Sequence, residues 1–291
     1  MTQAAANALI SAASYLLVGI GFSLIYTPSR FFNFSHAAII TLAPYGSYAL
    51  GAWFHAPAIA TIPGGVLFSV VVAAAIELVI YRPMRPREIS ANILMLISLG
   101  VYAVLHSVIV FIFGSGALFL DTADVTASRL LLGARLTDIQ LLLIPASLAG
   151  CFAVWSLLHR TALGRSIRAT GSDRELALIR GVDYDKTVFI ATLIGSALAG
   201  LCGVVLAYDT NLTPFFGFQI YLGGVVAVIL GGIGSIPGIA LGALLLAVAQ
   251  HATAWWISSA WQDTLVYSAL FLFLILKPQG FLGTASRRGA V

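Results

Sequence analysis

Charge is scarce in this chain. Asp, Glu, Lys and Arg make up 9% of 291 residues, against 60% hydrophobic. That balance excludes a soluble domain, because a water-soluble fold of this length could not hide so much apolar surface. A bilayer removes the need. Cysteine is also sparse. Cys151 and Cys202 each sit inside an apolar run, where a free thiol behaves as a small hydrophobe, so no disulfide is expected. No set of His, Cys, Asp or Glu recurs at metal-ligand spacing, which leaves a metal site unsupported. A Gly-x-x-x-x-Gly-Lys-[Ser/Thr] string is missing, so the chain has no phosphate-cradling loop of the usual kind. Any use of ATP has to come from a partner, and no cofactor is expected. Paired acids and a Ser–His–Asp arrangement are missing too, which argues against an intramembrane enzyme. Before Arg30 there is no Lys or Arg. Without a basic leader the first apolar run reads as a retained span rather than a cleaved signal.

The charges that exist are placed unevenly. Of fifteen Lys and Arg residues, thirteen fall at Arg30, at Arg82, Arg85 and Arg87, between Arg160 and Lys186, and at Lys277, Arg287 and Arg288. Basic loops resist translocation, so a threading that keeps all of these on one side puts them in the cytoplasm. The net charge of +4 is then no sign of nucleic-acid binding. A crossing helix needs about 20 apolar residues. The runs at 6–26, 33–54, 58–81, 91–113, 139–158, 188–208 and 239–257, and one at 265–276 reaching back toward Trp261, predict eight full spans. The fold class expected is an all-α integral membrane protein, a polytopic helical bundle read as one transmembrane domain over 1–291. A ninth run, 222–233, is too short to cross unaided and leads into Gly231, Gly232, Gly234, Pro237 and Gly238. It reads as a short, broken or re-entrant segment, tolerated at membrane depth only when covered by protein or lining a cavity. This threading puts the N-terminus, the 114–138 loop and Asp209 outside. Thr27-Pro28 and Thr213-Pro214, each followed by aromatics, then fall on opposite sides. Two interfacial helix boundaries explain the echo more simply than an inverted repeat does.

Polar residues inside the apolar runs are candidates for function. Glu77 stands about one turn from a helix end, within reach of Tyr81 or Arg82, and reads as structural pairing. His36 and His106 lie deeper, where a lone His most often completes a helix–helix hydrogen bond. Gly195, Ala199 and Gly203, and likewise Gly238 and Gly242, have the four-residue spacing of close helix packing.

The stretch 159–187 looks soluble. Ser172 is a candidate N-cap, and Asp173 and Glu175 suit the positive end of a helix dipole. Leu176, Leu178 and Ile179 form a short apolar stripe, and Arg180-Gly181 suits a C-terminal turn. A purely solvated loop has no use for that stripe, whereas a docking helix for a cytoplasmic protein does.

This segment, with Leu163-Gly164-Arg165, Arg168-Ala169, Asp173, Ala177 and Gly181-Val182, resembles the cytoplasmic coupling loop of branched-chain amino-acid ABC permeases. Glu77 through Arg85 is similar to that family's loop after its third span. Leu230-Gly231-Gly232-Ile233-Gly234-Ser235-Ile236-Pro237-Gly238 resembles its glycine-rich segment, and Pro278-Gln279-Gly280-Phe281-Leu282-Gly283 resembles its ending. One departure stands out: Asn33-Phe34-Ser35-His36-Ala37-Ala38 occupies a place where the family usually has Asn-Phe-Ala-His-Gly-Glu. The resemblance implies an inner-membrane permease subunit of an ABC importer for a branched-chain or other small hydrophobic amino acid. It implies a second, homologous permease subunit, two cytoplasmic ATP-binding subunits and a periplasmic or extracellular substrate-binding protein as partners. Urea or short-chain amides are an alternative cargo. A stand-alone secondary transporter is an alternative class, although ion coupling usually recruits buried carboxylates and only Glu77 qualifies. Asn33, His36, Gly231, Gly232 and Gly234 are the candidate substrate-pathway residues. Gly164, Arg165, Arg168, Asp173, Leu176, Ala177 and Gly181 are the candidates for coupling to an ATPase.

Overall fold

A computed structural model describes residues 2–87, 89–120, 128–131, 133–276 and 280–282. Apolar sequence under a uniform 3.6-residue repeat has produced a bundle of helices. They are α1 (Thr2–Ser29), α2 (Ser35–Phe54), α3 (Ala58–Ile76), α4 (Arg82–Met84) and α5 (Ala91–Phe113). Then come α6 (Asp138–Arg160), α7 (Ala162–Ser172), α8 (Arg174–Ile179), α9 (Tyr184–Ala207), α10 (Phe216–Gly231), α11 (Ile236–Trp256) and α12 (Gln262–Leu276). Between α3 and α4 the chain passes through a π-turn, Glu77–Tyr81, without leaving the helix.

Six of these segments are long and apolar enough to cross a membrane: α1, Ile59–Arg87, α5, α6, α9 and α11. The eight full spans predicted from the apolar runs are therefore not all matched. α2 is helical over 20 residues, but Ser35, His36, Thr41 and Pro44 dilute its hydropathy. The described part of α12 is 15 residues. α10 begins six residues earlier than the apolar run that marks it and spans 16 residues, about 24 Å at 1.5 Å per residue. That is short of a bilayer core of about 30 Å. The all-α class fits, with one short addition in the 114–138 loop, an antiparallel hairpin of β1 (Ser128–Leu131) with β2 (Ala134–Thr137), Ser128 opposite Thr137.

α1 is the axis. Of its most apolar stretch 83% is buried, compared with 17% for α5 and for α6. A helix that is apolar on every face and enclosed belongs at the centre, and helices equally apolar but uncovered face lipid or another chain. α1 packs against α6, α9, α10 and α11, and α2 against α3, α9 and α10. Small residues bring the backbones close. A Cβ on Gly195 would lie 2.6 Å from the Gly21 carbonyl oxygen, and one on Gly242 would lie 2.2 Å from that of Ala227. The spaced glycines thus do what close packing requires.

The two ends of the bundle differ. At one end the α1 N-terminus, the hairpin and the 209–212 turn are joined. Thr2 donates to the Gly133 carbonyl at 3.2 Å, and Gln3 exchanges bonds with the Arg135 backbone. Asp209 accepts from Thr137 Oγ1 at 3.1 Å and Gln140 Nε2 at 2.7 Å, and Leu118 bridges to Leu212. The other end gathers the α1 C-terminus, α7, α8 and the Arg82–Arg87 turn. The described basic clusters thus share one end, as the threading requires. Lys277, Arg287, Arg288, Asp121 and Asp124 lie outside the described residues.

Candidate functional site

At the basic end the soluble-looking stretch folds as two helices rather than one. Thr161 caps α7, accepting from the Gly164 amide at 3.1 Å. Ser172 ends α7 instead of starting the next helix. The cap of α8 is Asp173, whose carboxylate accepts from the Leu176 amide at 3.0 Å. A carboxylate is the stronger cap at a positive helix end, and it lies one residue on from the serine. Gly181, at φ +79°, closes α8, with its amide bonded to the Leu178 carbonyl and that of Val182 to the Ala177 carbonyl. Gly164 is enclosed: a Cβ there would lie 2.2 Å from the Leu157 carbonyl oxygen. Gly171 allows α7 to press on Thr27 of α1. Arg168 donates to the Leu158 carbonyl, and Arg165 is exposed. On α8, Ala177 is buried while Leu176, Leu178 and Ile179 are 50%, 49% and 82% exposed.

Behind α8 lies an ion cluster. Arg85 pairs with Glu77 and, at 2.8 Å, with Asp185 at the start of α9. Its guanidinium stands 5.4 Å from the Tyr184 ring centre, and Arg174 of α8 stands 4.1 Å from that same ring. The partner of Glu77 is therefore Arg85, eight residues on, and neither Tyr81 nor Arg82. The π-turn and the bend into Arg85–Arg87 fold that side chain back. Tyr81, at the end of the π-turn, donates to Asn33 Oδ1 at 3.1 Å and contacts Ser35 Oγ at 3.0 Å. Side-chain contacts thus run from α8 to Glu77 at the start of the π-turn, and Tyr81 at its end bonds the break between α1 and α2.

Asn33 is the acceptor at the centre of that break, taking bonds from the Ser35 amide and hydroxyl. Ser98 of α5 satisfies the Phe34 amide at 2.9 Å. His36, in the first turn of α2, is 2% exposed and its Nε2 has no hydrogen-bond partner among the described residues, and His106 Nε2 has none among them either. The interhelical bonds expected of these two histidines are not formed. Beside His36, the Tyr221 ring of α10 lies 6.3 Å away and its hydroxyl is also unpaired. Thr192 and Ser196, flanking Gly195 on α9, are buried and unpaired as well. A buried polar group without a partner costs about 1–3 kcal/mol.

Gly231, Gly232 and Gly234 form the turn between α10 and α11. A Cβ on Gly231 would lie 2.1 Å from the Gly238 carbonyl oxygen, and Gly280 packs on the Gly232 backbone. Gly232 and Gly234 have φ of +102° and +85°. Phe281 and Leu282 donate to the carbonyls of Leu230 and Gly231, and the Gly234 amide bonds Ser23 of α1. The turn is therefore closed over by the chain itself. The structure brings Asn33 and His36 together at the α1–α2 break, and it places the glycines apart from them in a packed turn.

The open space lies elsewhere. Two adjoining chambers, about 550 Å³ and 320 Å³, run from the Asp209–Thr213 turn inward between α1, α10, α11 and α12. They share Ser11, Tyr15, Gln219, Ile220 and His251. Ser11 Oγ and His251 Nε2 are 2.9 Å apart at the common wall. None of the sequence-nominated pathway residues lines either chamber. The readable signal was Gln250-His251, two adjacent polar residues in the middle of an apolar run.

A family described as "Branched-chain amino acid transport system / permease component" matches residues 4–275. The chain belongs to that family. It is 28% identical to the "High-affinity branched-chain amino acid transport system permease protein LivH" of Salmonella typhimurium over 95% of this chain and 94% of that one. It is 26% identical to the corresponding protein BraD of Pseudomonas aeruginosa, over 97% and 95%. Among solved structures, "PsaBC from Streptococcus pneumoniae in complex with Fab" superimposes with a TM-score of 0.54 at 14% identity, covering 97% of this chain and 92% of that one. That last likeness bears on the fold alone. A multi-pass membrane protein of a transport-permease family accounts for composition, helices and relatives together.

Proposed function

We propose that this chain is the non-enzymatic permease subunit of an ABC importer in a bacterial inner membrane, and that it moves a branched-chain or similarly small hydrophobic amino acid by ATP-driven alternating access. In this reading 1–291 is one permease domain with its basic end in the cytoplasm. The 159–187 segment is the docking surface for ATP-binding subunits, a homologous permease completes the membrane unit, and a binding protein delivers cargo to the opposite end. The observation that carries it is α8. Three large apolar side chains stand exposed on a capped helix at the end where positive charge collects. Burying an apolar side chain of that size contributes about 1.5–3 kcal/mol, so a partner that covers them gains a firm hold.

Arg174 and Arg85 both meet Tyr184, Arg85 pairs with Glu77, and Glu77 opens the π-turn that Tyr81 ends; through that turn α8 can bear on the α1–α2 break, where Tyr81 bonds Asn33. Asn33 and His36 remain the pathway candidates there. Gly231, Gly232 and Gly234 are better assigned to a hinge or stop at the inner end than to cargo contact. The test is reconstitution in proteoliposomes with candidate ATP-binding subunits. Leucine uptake should require both the subunits and ATP, and changing Arg168 and Leu176 together should release the subunits. Leucine accumulation by the chain alone, driven by an ion gradient, would defeat the reading.

A further inference from the structure

The smaller of the two chambers carries a feature that transport through an apolar bundle does not require. Asp263, exposed in the first turn of α12, stands at its mouth and forms no hydrogen bond or ion pair with any described residue. No Lys or Arg lines either chamber, and the other carboxylate, Asp209 in the larger one, is engaged by Thr137 and Gln140. Around Asp263 the polar wall is made of three amides, two phenols, a hydroxyl and an imidazole, all formally neutral when the imidazole is unprotonated. Against it stand Ile220, Leu222 and Val266. The chamber therefore has one free negative charge, several neutral hydrogen-bonding groups and an aliphatic side.

From this geometry we infer that the α1–α10–α11–α12 chamber is a binding site, within a single subunit, for the ammonium group of a small aliphatic amine or zwitterion, with Asp263 as its counter-charge. The physical reason is selection by sign. A lone exposed carboxylate at the mouth of a cavity of about 320 Å³ attracts an ammonium and repels a carboxylate. The neutral amides of Gln219 and Gln250 can accept or donate, so they accommodate the remaining polar end without imposing a second sign. The aliphatic side takes the hydrocarbon body. The inference rests on the permease reading for its biological sense, but it stands or falls by its own measurement.

That measurement is thiol protection on the full chain in lipid nanodiscs. Cys151 is changed to Ser and Cys202 to Ala, and a single reporter is placed in the chamber as Val266→Cys or, if that variant does not fold, as Gln219→Cys. A water-soluble maleimide is the reagent. Three ligands are compared: leucine, 3-methylbutylamine, which lacks the carboxylate, and 4-methylpentanoate, which lacks the amine. Leucine and the amine should slow labelling, and 4-methylpentanoate should not. Adding Asp263→Asn should raise the concentrations needed for protection about fivefold, the worth of an exposed ion pair. Equal protection by the acid and the amine, no protection by either, or no change in Asp263→Asn would overturn the site. ATP-dependent uptake alongside such a result would leave the permease reading intact. Amine-selective protection without any ATPase association would do the reverse.

Discussion

The two halves of this molecule treat polar groups in opposite ways. At the basic end polar groups find partners: Glu77 and Asp185 share Arg85, Arg174 and Arg85 flank Tyr184, and Asp173 and Asp183 serve as helix caps. Within the bundle several polar groups are left open. His36, Tyr221, Thr192 and Ser196 are buried without partners, and Asp263 stands at a cavity mouth unpaired. Satisfied networks hold one arrangement, and unsatisfied groups are where a water, a solute or a second conformation has to supply the missing bond. The contrast therefore separates a part of the chain held in one arrangement from a part with polar groups free to exchange partners.

The largest expected effect tests the matched half. Arg85→Met leaves the carboxylate of Glu77 buried and alone, and breaking a buried pair from one side costs about 3–5 kcal/mol. The unfolding temperature in detergent should fall sharply. Glu77→Gln together with Arg85→Met removes the charge as well as its partner and should recover most of that loss. A double variant no better than the single would show that the cluster is not held by charge matching. The next effect belongs to the α10–α11 turn. Gly231→Val drives a side chain into the Gly238 carbonyl, and overpacking of this kind costs about 1–3 kcal/mol. Stability should drop by that amount, and uptake by the assembled complex should be lost.

The contrast predicts a different result at His36. Replacing an unpaired buried polar group by an apolar one of similar size can be neutral or stabilising. His36→Leu should leave the unfolding temperature unchanged or slightly raised while reducing uptake several-fold. A clear loss of stability would mean that the imidazole already has a bond in the membrane, and the comparison between the halves would weaken.

Much of the fold could be read from the chain because lipid makes apolar length and basic-loop placement strong constraints. α1, α5, α9 and α11 lie within a few residues of the runs that mark them. What could not be read depended on side chains meeting across space. That Arg85 rather than Arg82 takes Glu77 follows from a π-turn, and hydropathy carries no trace of it. The glycine string does not reveal whether its backbone faces a cavity or its own neighbours, and Gly280 filling the space beside Gly232 is a contact forty-eight residues away. The chamber is invisible for a related reason: Gln219, Gln250 and Asp263 come from three helices, and only packing brings them to one cavity.

The smallest expected effect on stability falls on α8 and sharpens the comparison from outside the core. Leu176 and Ile179 are half and four-fifths exposed, so Leu176→Ser with Ile179→Ser removes little burial. Surface changes of this kind stay within about 0.5 kcal/mol. The isolated chain should unfold as before, and amide exchange at Leu176, held by the Asp173 cap, should stay slow. Capture of an ATP-binding subunit should nevertheless fall by an order of magnitude or more, since two side chains together lose about 3 kcal/mol or more of burial. If capture survives while Asp173→Ala, which frays the helix start at a cost of about 1 kcal/mol, abolishes it, the dock reads the shape of α8 rather than its apolar face. The matched ion cluster beneath would then be the part of the basic end that a partner senses.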